Sequence, residues 1–168
     1  MATDLTYSVA RELLWGEIGG RKFVMTARSG GGRGSLTRGV AQSTLSSYSP
    51  TRAKNDSAGI RGGAIPPGTW TIRPPKISGD TKGPWVSVLV PDTGTRADYP
   101  ERDYDVERFK IHGTGPLGSD GCLVIDSTHR IPLLKAVKKA GGATLTVLWD
   151  GVRMNERLEA AQRNANIA

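Results

Sequence analysis

The stretch Ile111–Ile125, reading IHGTGPLGSDGCLVI, holds His112, one of two histidines in the chain, and Cys122, its single cysteine. Strand-like apolar ends bound it, Phe109–Lys110–Ile111 before and Leu123–Val124–Ile125 after. Between them Gly113, Gly115, Gly118 and Gly121 let the backbone turn tightly and leave room for a substrate. A cysteine attacks as the thiolate, so it needs a base or cation nearby and an open approach. Imidazole is the side chain best suited to take that proton near neutral pH. If the two flanking strands are neighbours, the short loop returns His112 onto Cys122. Gly121 then lets backbone N–H groups around Cys122 point at a developing oxyanion. The plain alternative gives both residues structural work, the thiol as a small buried hydrophobe and the histidine as a hydrogen-bonded one.

Upstream, Ile65–Pro66–Pro67–Gly68–Thr69–Trp70–Thr71–Ile72 forms a Pro/Gly turn running into a strand. Together the two blocks resemble the YkuD-type L,D-transpeptidases. In that family a His-Gly pair, a variable loop and a Ser-His-Gly-Cys segment follow a TP-x-G-x-(Phe/Tyr)-x-(Ile/Val) block. The counterparts here are His112–Gly113 and Ser119–Asp120–Gly121–Cys122. The chain is more similar still to the L,D-transpeptidase-like effectors delivered by the bacterial type VI secretion system, which are small and carry a compact His…Ser-x-Gly-Cys motif. The resemblance runs from about Leu14 to Trp149. Two positions depart from the family pattern: Asp120 stands where a histidine is usual, and Val124 stands where an arginine is usual.

The resemblance implies a catalytic pair, Cys122 and His112, supported at the oxyanion and loop positions by Gly121, Asp120, Ser119 and Gly113. It implies peptidoglycan stem tetrapeptides as substrate, with L,D-carboxypeptidase or D-amino-acid exchange (L,D-transpeptidase) chemistry. It also implies a cognate immunity protein and a type VI delivery component as partners. Synthesis in the bacterial cytoplasm and action in the target cell's periplasm follow from the same likeness. Ser29 and Gly30, a Ser-Gly step after a strand, and the aromatics Tyr99 and Tyr104 are candidates to line the substrate cleft.

Composition sets the outer bounds. At 168 residues the chain can build one domain with a core. The reading is a catalytic domain over residues 1–150 and a helical tail over 151–168, where Met154, Leu158, Ala161 and Ala165 keep helical spacing. No apolar run is long enough for a transmembrane helix. The N-terminus MATDLTYSVARELLWGE has an acid at Asp4 and no apolar h-region, so no secretory signal is expected. A single cysteine excludes an internal disulfide. The net charge of +7 suits an acidic partner, such as a carboxylate-bearing wall polymer, nucleic acid or an anionic membrane. The basic residues are scattered and interrupted by acids in Asp98–Asp105, which argues against a phosphate-tracking face. The Gly-rich run at 29–35 lacks the Gly-Lys-(Ser/Thr) ending of a phosphate loop. No nucleic-acid partner and no cofactor is expected. No metal is expected either, because His112, Cys122, His129 and Asp120 or Asp126 match no zinc spacing. Papain-like wall peptidases also use Cys and His, but in the opposite sequence order. The reading from a different class is a non-catalytic module that binds cell wall or nucleic acid.

The expected fold is mainly β with some helix (α+β), a sandwich-like arrangement of mixed sheets as the resemblance implies. Strands are expected at 5–9, 12–18, 22–27, 69–73, 85–90 and 143–149, with Gly19–Gly20 as a hairpin turn. Trp15, Phe23 and Met25 are assigned to the core, as are Trp70 and Trp85. A helix follows the cysteine motif. Asp126–Ser127–Thr128 caps its start, Pro132 takes an early position, and Leu133, Leu134 and Val137 form the buried stripe. Gly141–Gly142 ends it. His129, at the helix start, is read as structural.

Overall fold

The computed structural model describes residues 2–9, 11–29, 64–77, 84–98, 109–113 and 121–148. These form eight strands: β1 (Thr3–Ser8), β2 (Leu13–Ile18), β3 (Arg21–Thr26), β4 (Gly68–Ile72), β5 (Ser87–Pro91), β6 (Phe109–His112), β7 (Leu123–Val124) and β8 (Ala143–Leu148). Two helices accompany them, α1 (Thr93–Asp98) and α2 (Ser127–Ala140). The tail at 151–168 and Trp149 lie outside the described residues.

All eight strands belong to one mixed sheet in the order β3-β2-β1-β8-β4-β5-β6-β7. β1 pairs with β8 and β6 with β7 in parallel; the remaining neighbours are antiparallel. The sheet curls until its ends meet. Arg28, just past β3, forms an antiparallel bridge with Val124 of β7 through backbone hydrogen bonds of 3.1 and 2.8 Å. The expected β-rich α+β fold is therefore the one the chain adopts.

Alternation decides which residues fill the curl. Successive strand side chains point to opposite faces, and Leu5, Tyr7, Leu14, Ile18, Phe23, Met25, Trp70, Ile72, Leu89, Phe109, Ile111, Leu145 and Val147 all join one buried cluster. Trp70 is fully buried and stacks at a tilt on Phe109, with ring centroids 4.8 Å apart. Its indole N–H donates to Pro66 O at 3.1 Å, which satisfies the polar edge that burial would otherwise strand. α2 adds Leu133, Leu134 and Val137 to the same cluster, as its spacing predicts. Asp126 caps its N-terminus, and Gly141, at φ 80°, closes its C-terminus with N–H bonds to Lys138 and Val137 carbonyls.

Two expectations need correction. Trp15 is only partly buried. The β2–β3 register sets Leu14 across from Met25 and Gly16 across from Phe23, so Leu14 shares the core face and Trp15, across from Val24, takes the other. Trp85 precedes β5 instead of opening it and sits partly buried at the core's edge, with φ 58°. Pro132 lies in the second turn of α2, whose start is capped by Asp126 as expected. α1 was not anticipated: the Asp92 carboxylate accepts from Thr95 N at 2.8 Å and starts a short helix that Gly94 hides in the sequence.

Candidate active site

The parallel ladder of β6 and β7 pairs Ile111 with Leu123 and His112 with Val124. Ile111 and Leu123 both have no exposure and face the core. His112 is one residue after Ile111, and Cys122 is one residue before Leu123. By alternation His112 and its ladder partner Val124 take the opposite face, and Cys122 directly precedes β7. Two residues along a strand span about 7 Å, so Cys122 lies one short step from the residue paired with His112. His112 is 3% exposed, whereas Cys122 is partly exposed. The imidazole is thus sheltered and the thiol open to approach. The Ile125 N–H donates to His112 O at 2.9 Å and fixes the two strands at this register.

The backbone before the cysteine is held from the other end of the sheet. Gly121 has φ 127°, a conformation that glycine alone adopts readily. Its carbonyl accepts a 3.0 Å hydrogen bond from the buried Ser29 hydroxyl. The same Ser29 oxygen accepts from Ile65 N at 2.8 Å. Ile65 opens the Pro-Pro-Gly block, so this one hydroxyl joins the two sequence blocks that carry the family resemblance. Ser29 was expected to line a cleft. Here it is 7% exposed, beside the cysteine segment, with its oxygen engaged by these two groups.

A third support comes from α2. Arg130 is 6% exposed, and its Nε donates to Trp85 O at 3.1 Å and its Nη1 to Ile125 O at 2.8 Å. The guanidinium lies against Gly113, where a β-carbon would overlap it. Burial pushes the Arg130 guanidinium pKa down and nearby Asp126 partly opposes this; an arginine nonetheless stays charged. The left-handed backbone of Trp85, a costly state for a bulky residue, lies next to a carbonyl that Arg130 uses. Sequence reasoning missed Arg130. The signal was present, because residue 130 continues the 133/134/137 stripe at helical spacing.

His129 is exposed at the start of α2, with Nδ1 2.9 and 3.0 Å from the two Asp126 carboxylate oxygens. Its own N–H donates to Asp126 Oδ1 at 3.0 Å. Asp126 is held below the usual carboxylate range, chiefly by the His129 side chain and then by its backbone N–H. Of the remaining candidates, Gly113 closes β6 beside His112. Ser119, Asp120, Gly30, Tyr99 and Tyr104 lie outside the described residues. Among the described residues no group of His, Cys, Asp and Glu could hold a metal, and no helix is long and apolar enough to cross a membrane.

No protein-family model and no curated protein matches the chain. Among solved structures, the crystal structure of an L,D-transpeptidase (Yku) from Stackebrandtia nassauensis is similar at a TM-score of 0.42 and 13% identity. The match covers 90% of this chain and 58% of that one, so this chain spans less than two thirds of that protein's length. A likeness of this size leaves function to be argued from the site's own chemistry.

Proposed function

We propose that the protein is a peptidoglycan-modifying cysteine enzyme acting on stem tetrapeptides, as an L,D-carboxypeptidase, a D-amino-acid-exchanging L,D-transpeptidase, or both. The observation that supports this reading is the parallel β6–β7 register, which pairs His112 with Val124, two residues after Cys122. In the proposed reaction the Cys122 thiol gives its proton to His112 and its sulfur bonds to the carbonyl carbon of the L-centre. Backbone N–H groups of residues 120–122 hold the oxyanion. The carbon–nitrogen bond then breaks as His112 returns the proton to the leaving D-alanine amine. Water resolves the thioester to a carboxylic acid and free thiol, or a D-amino acid resolves it to a new amide.

The two sequence blocks support the substrate class, and the Ser29 relay that ties Ile65 to Gly121 gives their co-occurrence a physical basis. The compact His…Ser-x-Gly-Cys block supports an antibacterial effector delivered by type VI secretion into the target periplasm, with an immunity protein in the producer. Mass spectrometry of muropeptides after incubation with the protein tests the activity. Loss of terminal D-alanine, or its exchange for an added D-amino acid, is expected from the parent and not from Cys122→Ala. An unchanged profile from the parent would instead favour a wall-binding module.

A further inference from the structure

The segment that closes the sheet onto β7 carries a cation that this reaction does not use. Arg28 and Val124 exchange backbone hydrogen bonds in both directions, 3.1 and 2.8 Å long, so their side chains leave the same face of the sheet. Val124 is itself paired with His112. His112, Val124 and Arg28 therefore form one cross-strand row, with neighbouring strands about 5 Å apart. Exposure rises along the row: His112 is 3% exposed, Val124 is partly buried and the Arg28 side chain is 49% exposed. Its position against the cysteine segment is fixed, because Ser29, the next residue, donates to Gly121 O. Cys122 thus lies between Val124 and Gly121, the two residues held by Arg28 and Ser29. The Arg28 guanidinium pairs with Glu12 at 3.6 Å, and the Glu12 side chain is itself 35% exposed. An ion pair this open to water is held weakly. Arg130, the other guanidinium at these strands, has its nitrogens on the Trp85 and Ile125 carbonyls.

We propose that Arg28 binds the free C-terminal carboxylate of the stem tetrapeptide, and so selects a leaving residue that ends its chain. This role rests on Cys122 being the nucleophile of the proposed reaction. The carbonyl that the thiol attacks lies one residue before that carboxylate, and a residue spans at most about 3.6 Å. Arg28 stands across from Val124, about 7 Å along the strand from Cys122. One arginine side chain and one peptide residue together span that gap. A guanidinium suits the task, because its planar fork meets both oxygens of a carboxylate. The incoming carboxylate takes the place of Glu12 on Arg28. Arg28 moves no proton and forms no bond to the reacting carbon.

The test uses two synthetic stem tetrapeptides, one ending in the free acid and one in the carboxamide. Binding is read by calorimetry in a Cys122→Ala background, where neither peptide is consumed. The acid is expected to bind roughly tenfold more tightly than the amide. Arg28→Gln should abolish that preference by weakening the acid alone, and Arg28→Lys should keep part of it. With Cys122 present, the same loss should appear in KM more than in kcat. Glu12→Gln releases the guanidinium and should bind the acid at least as tightly as the parent. An acid preference that survives Arg28→Gln would overturn the proposal. So would a loss in Glu12→Gln equal to that in Arg28→Gln, which would make the pair structural. Turnover by the parent with no preference for the acid would overturn it too, and leave the enzyme reading intact. A parent that neither binds nor turns over either peptide would overturn the proposed function itself.

Discussion

Arg130 occupies the space that a side chain on Gly113 would need, so the residue after the proposed base is glycine because a helix-borne guanidinium lies against it. The same guanidinium donates to Ile125 O, and Ile125 N donates to His112 O. One arginine therefore pins the ends of β6 and β7 together. Gly113→Ala should destabilise the protein by about 1–3 kcal/mol, the usual cost of overpacking. Most of that cost should vanish in an Arg130→Ala background, because the obstacle is then gone. Denaturant midpoints of the two single variants and the double variant measure the coupling. Additive costs would show that the two residues do not compete for this space.

Ser29 supplies one hydroxyl to two backbone groups, Gly121 O and Ile65 N. Ser29→Ala leaves both buried without that partner, and should cost about 1–3 kcal/mol. Because Gly121 precedes the cysteine, the change should also slow modification of Cys122 under conditions where the variant remains folded. Ser29→Thr, which keeps the hydroxyl, should retain more of both. An alanine variant as stable and as reactive as the parent would remove this relay from the account.

The N-terminus of α2 carries an acid-sensitive contribution. Asp126 is held below the ordinary carboxylate value by His129. A lowered folded-state value means that the stabilisation is present above the unfolded value of about 3.9 and is lost as pH falls through the lowered one. Asp126→Asn keeps a capping side chain but not the titration. Between about pH 5 and pH 2 its melting temperature should fall less steeply than the parent's. Parallel curves for the two proteins would contradict the assignment.

Much of this could be read from the sequence, for identifiable reasons. β3, β4 and β8 alternate cleanly, and α2 has a capping acid, an apolar stripe and a terminal glycine pair. His112 and Cys122 stood out because the chain has so few residues of either type. The parallel sense of β6 and β7 could not be read, because a ten-residue spacing fits either direction of return. Trp15 was assigned to the wrong face because the cross-strand register with β3, not hydrophobicity, decides it. Ser29 is not legible as a support because its backbone partners lie 92 and 36 residues away, and for Arg130 helical spacing marks burial but not the carbonyls it bonds.

Of the chain's two histidines, His112 pairs with Val124 beside Cys122, and His129 is committed to Asp126 at the helix start. His112→Ala should lower turnover of a stem tetrapeptide by roughly 10²–10⁴-fold, the usual worth of general acid–base catalysis. His129→Ala should leave turnover within a few-fold of the parent. Equal losses from the two substitutions would mean that the register-based assignment has chosen the wrong histidine.

The most direct test of the central claim is intact-mass analysis of the protein quenched in acid during reaction with a stem tetrapeptide. The account predicts a transient adduct with the mass of the tripeptide acyl group, mapped by digestion to Cys122 and absent from Cys122→Ala. It should disappear on chase with water or a D-amino acid. Turnover of the peptide without any such adduct, or with turnover intact in Cys122→Ala, would contradict it.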